Sequence, residues 1–105
     1  MPRKEINCYL CDGKATLIEE FEAQIEVIVQ CPNCRDYRLG HKIVRFCLDK
    51  EKGVLSYKDP NTERRIPLSE EQRKKLSEYI RKKYEETKEP VLISLGVYKK
   101  IIGVS

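Results

Sequence analysis

Two short cysteine pairs, Cys8-x-x-Cys11 and Cys31-x-x-Cys34, constrain this chain more than anything else in it. Two residues inside a pair let both sulfurs of one loop turn toward a single ion. The 19 residues between the pairs are enough to bring the second loop back beside the first. That spacing is expected of a closed, tetrahedral site in which four thiolates surround one Zn2+. Four sulfurs leave no coordination position for water or substrate, so the metal is read as structural. Iron in the same sulfur cage and a dithiol redox pair are the alternatives.

The 105 residues give room for one domain, or for a small module with a helical extension. Leu, Ile, Val and Phe supply 28 of them, a modest core that a bound metal would reinforce. Charge is unevenly spread. Residues 1–40 carry five Lys/Arg against seven Asp/Glu (−2), and residues 41–105 carry sixteen against ten (+6). The basic surplus brings in nucleic acid as a candidate partner, though +4 overall is weak support for it. The N-terminus leads into no apolar signal region and no run of eighteen apolar residues occurs, so neither secretion nor a membrane span is expected. In a reducing compartment paired Cys-x-x-Cys loops hold metal rather than disulfides, and the location expected is cytoplasmic.

Gln24 to Gln30 is rich in β-branched residues and reads as a strand. Ala15 to Glu22 is a weaker one, with Leu17 and Phe21 apolar and Glu19, Glu20 and Glu22 exposed. Joined near Glu22-Ala23, the two form a hairpin from the first cysteine loop to the second: a zinc ribbon at residues 6–40. Tyr37-Arg38-Leu39 adds a short strand. Gly40 to Asp49 reads as a helix, with Leu39, Ile43, Phe46 and Cys47 on one face and Arg38, Lys42 and Arg45 along another. The β-formers Ile43, Val44 and Phe46 keep a strand open as the alternative. Gly53 to Leu68 holds turn chemistry at Asp59-Pro60-Asn61, suited to a hairpin or an irregular excursion.

The clearest helix starts at Ser69. Ser69 and Gln72 form a capping box, Glu70 and Glu71 favour the positive helix end, and the helix stops near Thr87, before Pro90. Leu76, Tyr79, Ile80 and Tyr84 are its apolar stripe. Val91 to Ile102 is apolar and packs back on the body. The fold class expected is α+β: a small four-cysteine zinc ribbon, a β-hairpin with two knuckles, followed by a helical region at 41–102, packed together as one domain.

Cys47 reads as a small buried hydrophobe, and His41 as an exposed or capping imidazole rather than a ligand. Asp12 and Arg35 directly follow the second cysteine of each pair, where knuckles often carry glycine. Arg tolerates a left-handed backbone poorly, so strain or a shifted turn is expected at Arg35. Arg38, Lys42 and Arg45, with Arg35, Arg64 and Arg65, are candidate phosphate contacts. Tyr9 and Tyr37 suit base stacking or, more commonly, packing against a knuckle. Against nucleic acid stand the acidic hairpin (Glu19, Glu20, Glu22, Glu26) and the i,i+4 pairs Glu70/Lys74, Glu71/Lys75 and Glu78/Lys82, which neutralise the helix lysines. No Ser/His/Asp set, glycine-rich phosphate loop or paired-carboxylate geometry is legible.

Cys31-Pro32-Asn33-Cys34-Arg35-Asp36-Tyr37-Arg38-Leu39, followed by Glu71 to Arg81 and by Glu89-Pro90-Val91-Leu92-Ile93, resembles a bacterial zinc-ribbon module. In that family a Cys-Pro-x-Cys-Gly-x-Tyr knuckle precedes an x-Arg-x-x-Leu-Ser-x-x-Ile-Arg helix and a Pro-x-Ile segment. Such modules often stand at the N-terminus of longer proteins and have no assigned activity. The resemblance implies Cys8, Cys11, Cys31 and Cys34 as metal ligands and no catalytic residue, with Arg35 in place of the knuckle glycine. The function expected is a non-enzymatic recognition module that docks a protein partner or a second domain. Weak, sequence-insensitive nucleic-acid binding is the alternative, and a thiol redox enzyme the remote one. No small-molecule substrate is evident.

Overall fold

The computed structural model describes residues 3–21, 25–49 and 51–104. Strand β1 (Arg3–Asn7) runs into the first cysteine loop and β2 (Lys14–Phe21) runs out of it, antiparallel. β2 pairs antiparallel with β3 (Ile25–Gln30), and the second cysteine loop joins β3 to β4 (Tyr37–Leu39). The alternation of Val27 and Val29 with less buried neighbours gives β3 one core face, as its period-2 pattern predicts. The expected turn at Glu22-Ala23 and the side chains of Glu19, Glu20 and Glu22 lie outside the described residues. β1 was not legible in advance: its Arg-Lys-Glu start is charged, which suits an edge strand.

Helix α1 (His41–Phe46) is shorter than the expected 40–49 span, because Cys47 caps it and β5 (Leu48–Asp49) begins at once. The expected wheel is corrected in two places. Leu39 and Arg38 belong to β4 and not to the helix. The buried face is Ile43, Val44 and Cys47, which turns Phe46 outward to 58% exposure. β6 (Val54–Lys58) and β7 (Arg65–Pro67) form the hairpin around the Asp59 turn, where the Asp59 carboxylate accepts from the Asn61 N–H at 2.9 Å. With β5 they make a second, three-stranded sheet.

Helix α2 (Glu70–Thr87) carries the full capping box: Gln72 N–H donates to Ser69 Oγ at 3.2 Å, and Ser69 N–H donates to Gln72 Oε1 at 2.9 Å. It ends at Lys88 in the left-handed region (φ 56°), ahead of Pro90. Glu71–Lys75 closes at 3.8 Å, whereas the expected Glu70–Lys74 and Glu78–Lys82 pairs do not close within ion-pair distance. The apolar tail resolves into β8 (Val91–Ile93) and α3 (Leu95–Ile102), the latter capped by Ser94 and stopped by Gly103 at φ 79°. β8 lies parallel to β4 and completes a five-stranded sheet ordered β1-β2-β3-β4-β8.

The core forms where the apolar stripes of α2 and α3 meet that sheet. Leu76 and Ile80 from α2, Tyr98 from α3, Tyr37, Leu39 and Ile93 from the sheet, Leu55 from β6 and Leu10 from the first cysteine loop surround a residual void of only about 10 Å3. Leu10 therefore ties that loop into the same core as α2.

Candidate metal centre

Each cysteine loop is a tight turn closed by its own backbone. Asp12 N–H donates to Cys8 O at 3.0 Å, and Arg35 N–H donates to Cys31 O at 2.8 Å. Both turns require a left-handed residue after the second cysteine, and Asp12 (φ 60°) and Arg35 (φ 79°) adopt it. The strain expected at Arg35 is thus present, since its Cβ is crowded where glycine would have none. Its guanidinium lies 5.8 Å from the Tyr84 ring centroid on α2, a cation–π contact that helps hold the turn.

The two loops bring the sulfurs of Cys8, Cys11, Cys31 and Cys34 within 4.8 Å of one another, a group able to hold a metal ion. A sulfur tetrahedron with metal–sulfur bonds of ~2.3 Å has edges of ~3.8 Å. The Cys8–Cys34 separation of 3.9 Å and the Cys11–Cys31 separation of 3.5 Å bracket that edge. Cys8, Cys31 and Cys34 are buried and Cys11 is partly exposed.

Three groups outside the four sulfurs address them. Cys34 N–H donates to Cys31 Sγ at 3.3 Å. Ser77, from the middle of α2, donates from Oγ to Cys34 Sγ at 3.1 Å. Tyr37 Oη lies 3.3 Å from Cys8 Sγ. Burial first, and then the Cys8 sulfur, push the Tyr37 hydroxyl well above its ordinary value. It therefore stays protonated and donates to the thiolate. The sulfurs themselves respond to crowding. The hydrogen bond from Cys34, assisted by Tyr37, holds Cys8 down at about 5. Burial pushes Cys31 up to about 11, and donation to Cys8 followed by burial pushes Cys34 up. Four packed sulfurs cannot all ionise unless a cation joins them.

Four thiolates and a dication leave two negative charges, and α2 places cations beside them. Arg81 Nη2 donates to Ser77 Oγ at 3.3 Å, behind the Cys34 contact. Arg73 pairs with Asp12 at 3.5 Å, and a cleft of about 230 Å3 next to Cys11 is lined by Arg73, Lys74 and Arg81. Reading the sequence did not single out Ser77, Arg73 or Arg81 for the site. One signal was present: Ser77 sits on the buried side of α2 with Leu76 and Ile80, and a polar side chain there demands a partner. Ser77→Ala is expected to weaken metal binding at the cysteine cluster roughly tenfold and to cost about 1 kcal/mol of stability. Chelator competition and thermal melts check this; unchanged values would make the Ser77–Cys34 contact incidental.

The remaining candidates fall elsewhere. Tyr9 and Tyr37 are buried, so their rings pack under the loops and offer no face to a base. Cys47 is buried in the core as expected, and His41 is half-buried at the start of α1. The Arg38–Lys42–Arg45 stripe is divided. Arg38 lies on β4 with its guanidinium 3.5 Å from Glu26 of β3, a cross-strand partner hidden by sequence distance. Lys42 and Arg45 are exposed on α1. Compared with protein-family models, curated proteins and solved structures, the chain matches none.

Proposed function

We propose that the chain is a non-enzymatic recognition module in which Cys8, Cys11, Cys31 and Cys34 hold one structural zinc ion. The observation that carries the reading is the sulfur set: four cysteine sulfurs within 4.8 Å of one another, three of the residues buried, with the hydroxyls of Tyr37 and Ser77 against two of them. Four such ligands fill the zinc tetrahedron and leave no place for a substrate or an activated water. Zinc suits the site because four sulfur ligands in a tetrahedron are its usual structural environment, one that iron also accepts. The ion fixes both loops against α2, and so fixes the surfaces carried by the rest of the fold. Among the described residues Phe46 on α1 and Leu92 on β8 are the large apolar side chains left exposed on those surfaces, and a protein partner or second domain is the kind of surface that would cover them.

Metal analysis of the protein purified without added metal tests the reading, together with alkylation of its thiols. One zinc per chain is expected, with no visible absorption and with the four loop cysteines protected until a chelator is added. Charge-transfer colour would identify iron in the same cage. A metal-free, folded protein with an oxidised cysteine pair would replace the reading with the redox alternative.

A further inference from the structure

A second concavity, away from the cysteine loops, has the composition of a docking groove. It encloses about 510 Å3 between α1, the β6–β7 hairpin and α3. Tyr57, Leu95 and Val104 are among the side chains lining its apolar part, with Cys47 beside them. Its cations come from four different elements and so surround it: Arg45 from α1, Lys58 from β6, Arg65 from β7 and Lys99 from α3. Glu63 is the one carboxylate among the lining residues. Arg65 and Lys99 line the groove together with Cys47.

Phe46 stands at this groove in an unusual state. It is a large aromatic left 58% exposed, with cations beside it. The Arg45 guanidinium lies 5.4 Å from its ring centroid, and Arg65 Nη2 donates to its backbone carbonyl. An exposed aromatic flanked by arginines supplies the apolar and charged contacts that carry much of the binding energy at protein interfaces.

We infer that this groove docks an acidic peptide segment: one large apolar side chain of the partner enters beside Phe46, Tyr57 and Leu95, and flanking carboxylates pair with Arg45, Lys58, Arg65 and Lys99. The inference rests on the reading of the chain as a recognition module and names the chemistry of its partner. Four cations against one carboxylate set the sign of the charge, and the apolar floor sets the anchor. A single-stranded nucleic acid fits less well. Stacking of successive bases needs several open aromatic faces, whereas Tyr98 is buried with its hydroxyl donating to Ser56 O at 2.8 Å and Arg45 occupies one face of the Phe46 ring.

The test is fluorescence anisotropy with the intact, zinc-loaded protein. The probes are short labelled peptides with a central leucine, phenylalanine or tryptophan flanked by aspartate and glutamate, the same peptides with lysine replacing every acid, and labelled oligothymidylate. The acidic peptides are expected to bind, more weakly as salt rises, and the lysine peptides to show no binding. Lys58→Glu/Lys99→Glu and, separately, Phe46→Ala are each expected to weaken binding at least tenfold, while Lys82→Glu on exposed α2 leaves it unchanged. Metal content and circular dichroism are measured on every variant. Loss of zinc or of fold in the unaltered protein would strike the proposed function itself. Zinc-loaded, folded protein that ignores the acidic peptides, binds the lysine peptides equally well, or binds oligothymidylate through the same residues would overturn the acidic-peptide assignment alone.

Discussion

Stripping the metal is expected to unfold far more than the two loops it touches. Structural zinc in a four-thiolate site is worth on the order of 10 kcal/mol of folding free energy near neutral pH, comparable to the whole stability of a domain this size. The loops cannot loosen alone. Leu10 shares the central core with Leu76 and Ile80, Ser77 contacts Cys34, and β4 leaves the second loop to pair with β8. Chelation should therefore melt the loops and strands β1–β4, and then release α2 and β8 with them. Native mass spectrometry before and after chelation, with circular dichroism and amide exchange alongside, reads the extent. Retention of α2 protection in a metal-free chain would show that the helix stands without the metal. An unchanged spectrum throughout would dispose of the structural-metal reading.

Ile80→Asp should destabilise the protein by about 4 kcal/mol or more. Ile80 is fully buried in the ring of side chains that also holds Tyr37, Leu39 and Tyr98. The substitution removes well-packed methyl groups and leaves a carboxylate in an apolar site with no cation facing it among the ring's members. Lys82→Asp, two residues on and exposed, should cost under about 1 kcal/mol. Urea denaturation of both variants with zinc bound makes the comparison. Small, equal effects would mean that α2 is not held against the sheet and that its apolar stripe serves some other surface.

The four-cysteine cluster, the α2 capping box and the β3 strand were legible in the sequence because each begins from a local pattern. Cys-x-x-Cys needs only two residues of loop. Ser69 and Gln72 satisfy one another within a single turn, and Val27/Val29 declare a face by alternation. The left-handed turn at Arg35 was legible for the same reason: the geometry of the loop demands it whatever surrounds it. Phe46 was misplaced because a helical wheel assumes a continuing helix. The chain turns to strand at Leu48, and packing selects Val44 for the buried face instead.

What tertiary structure alone decided are the contacts between residues far apart in the chain. Arg38 meets Glu26 only because β3 and β4 pair, and Ser77 reaches Cys34 only because α2 crosses the loops, 43 residues away in sequence. The parallel docking of β8 on β4, and the gathering of Arg45, Lys58, Arg65 and Lys99 around one groove, have no local signature at all. The physical reason is the range of the forces involved. Turns, caps and strand alternation are set by sterics and hydrogen bonds within a few residues. Sheet order, partner choice for a charge and the shape of a groove are set by which apolar faces bury each other, which is a property of the folded chain as a whole.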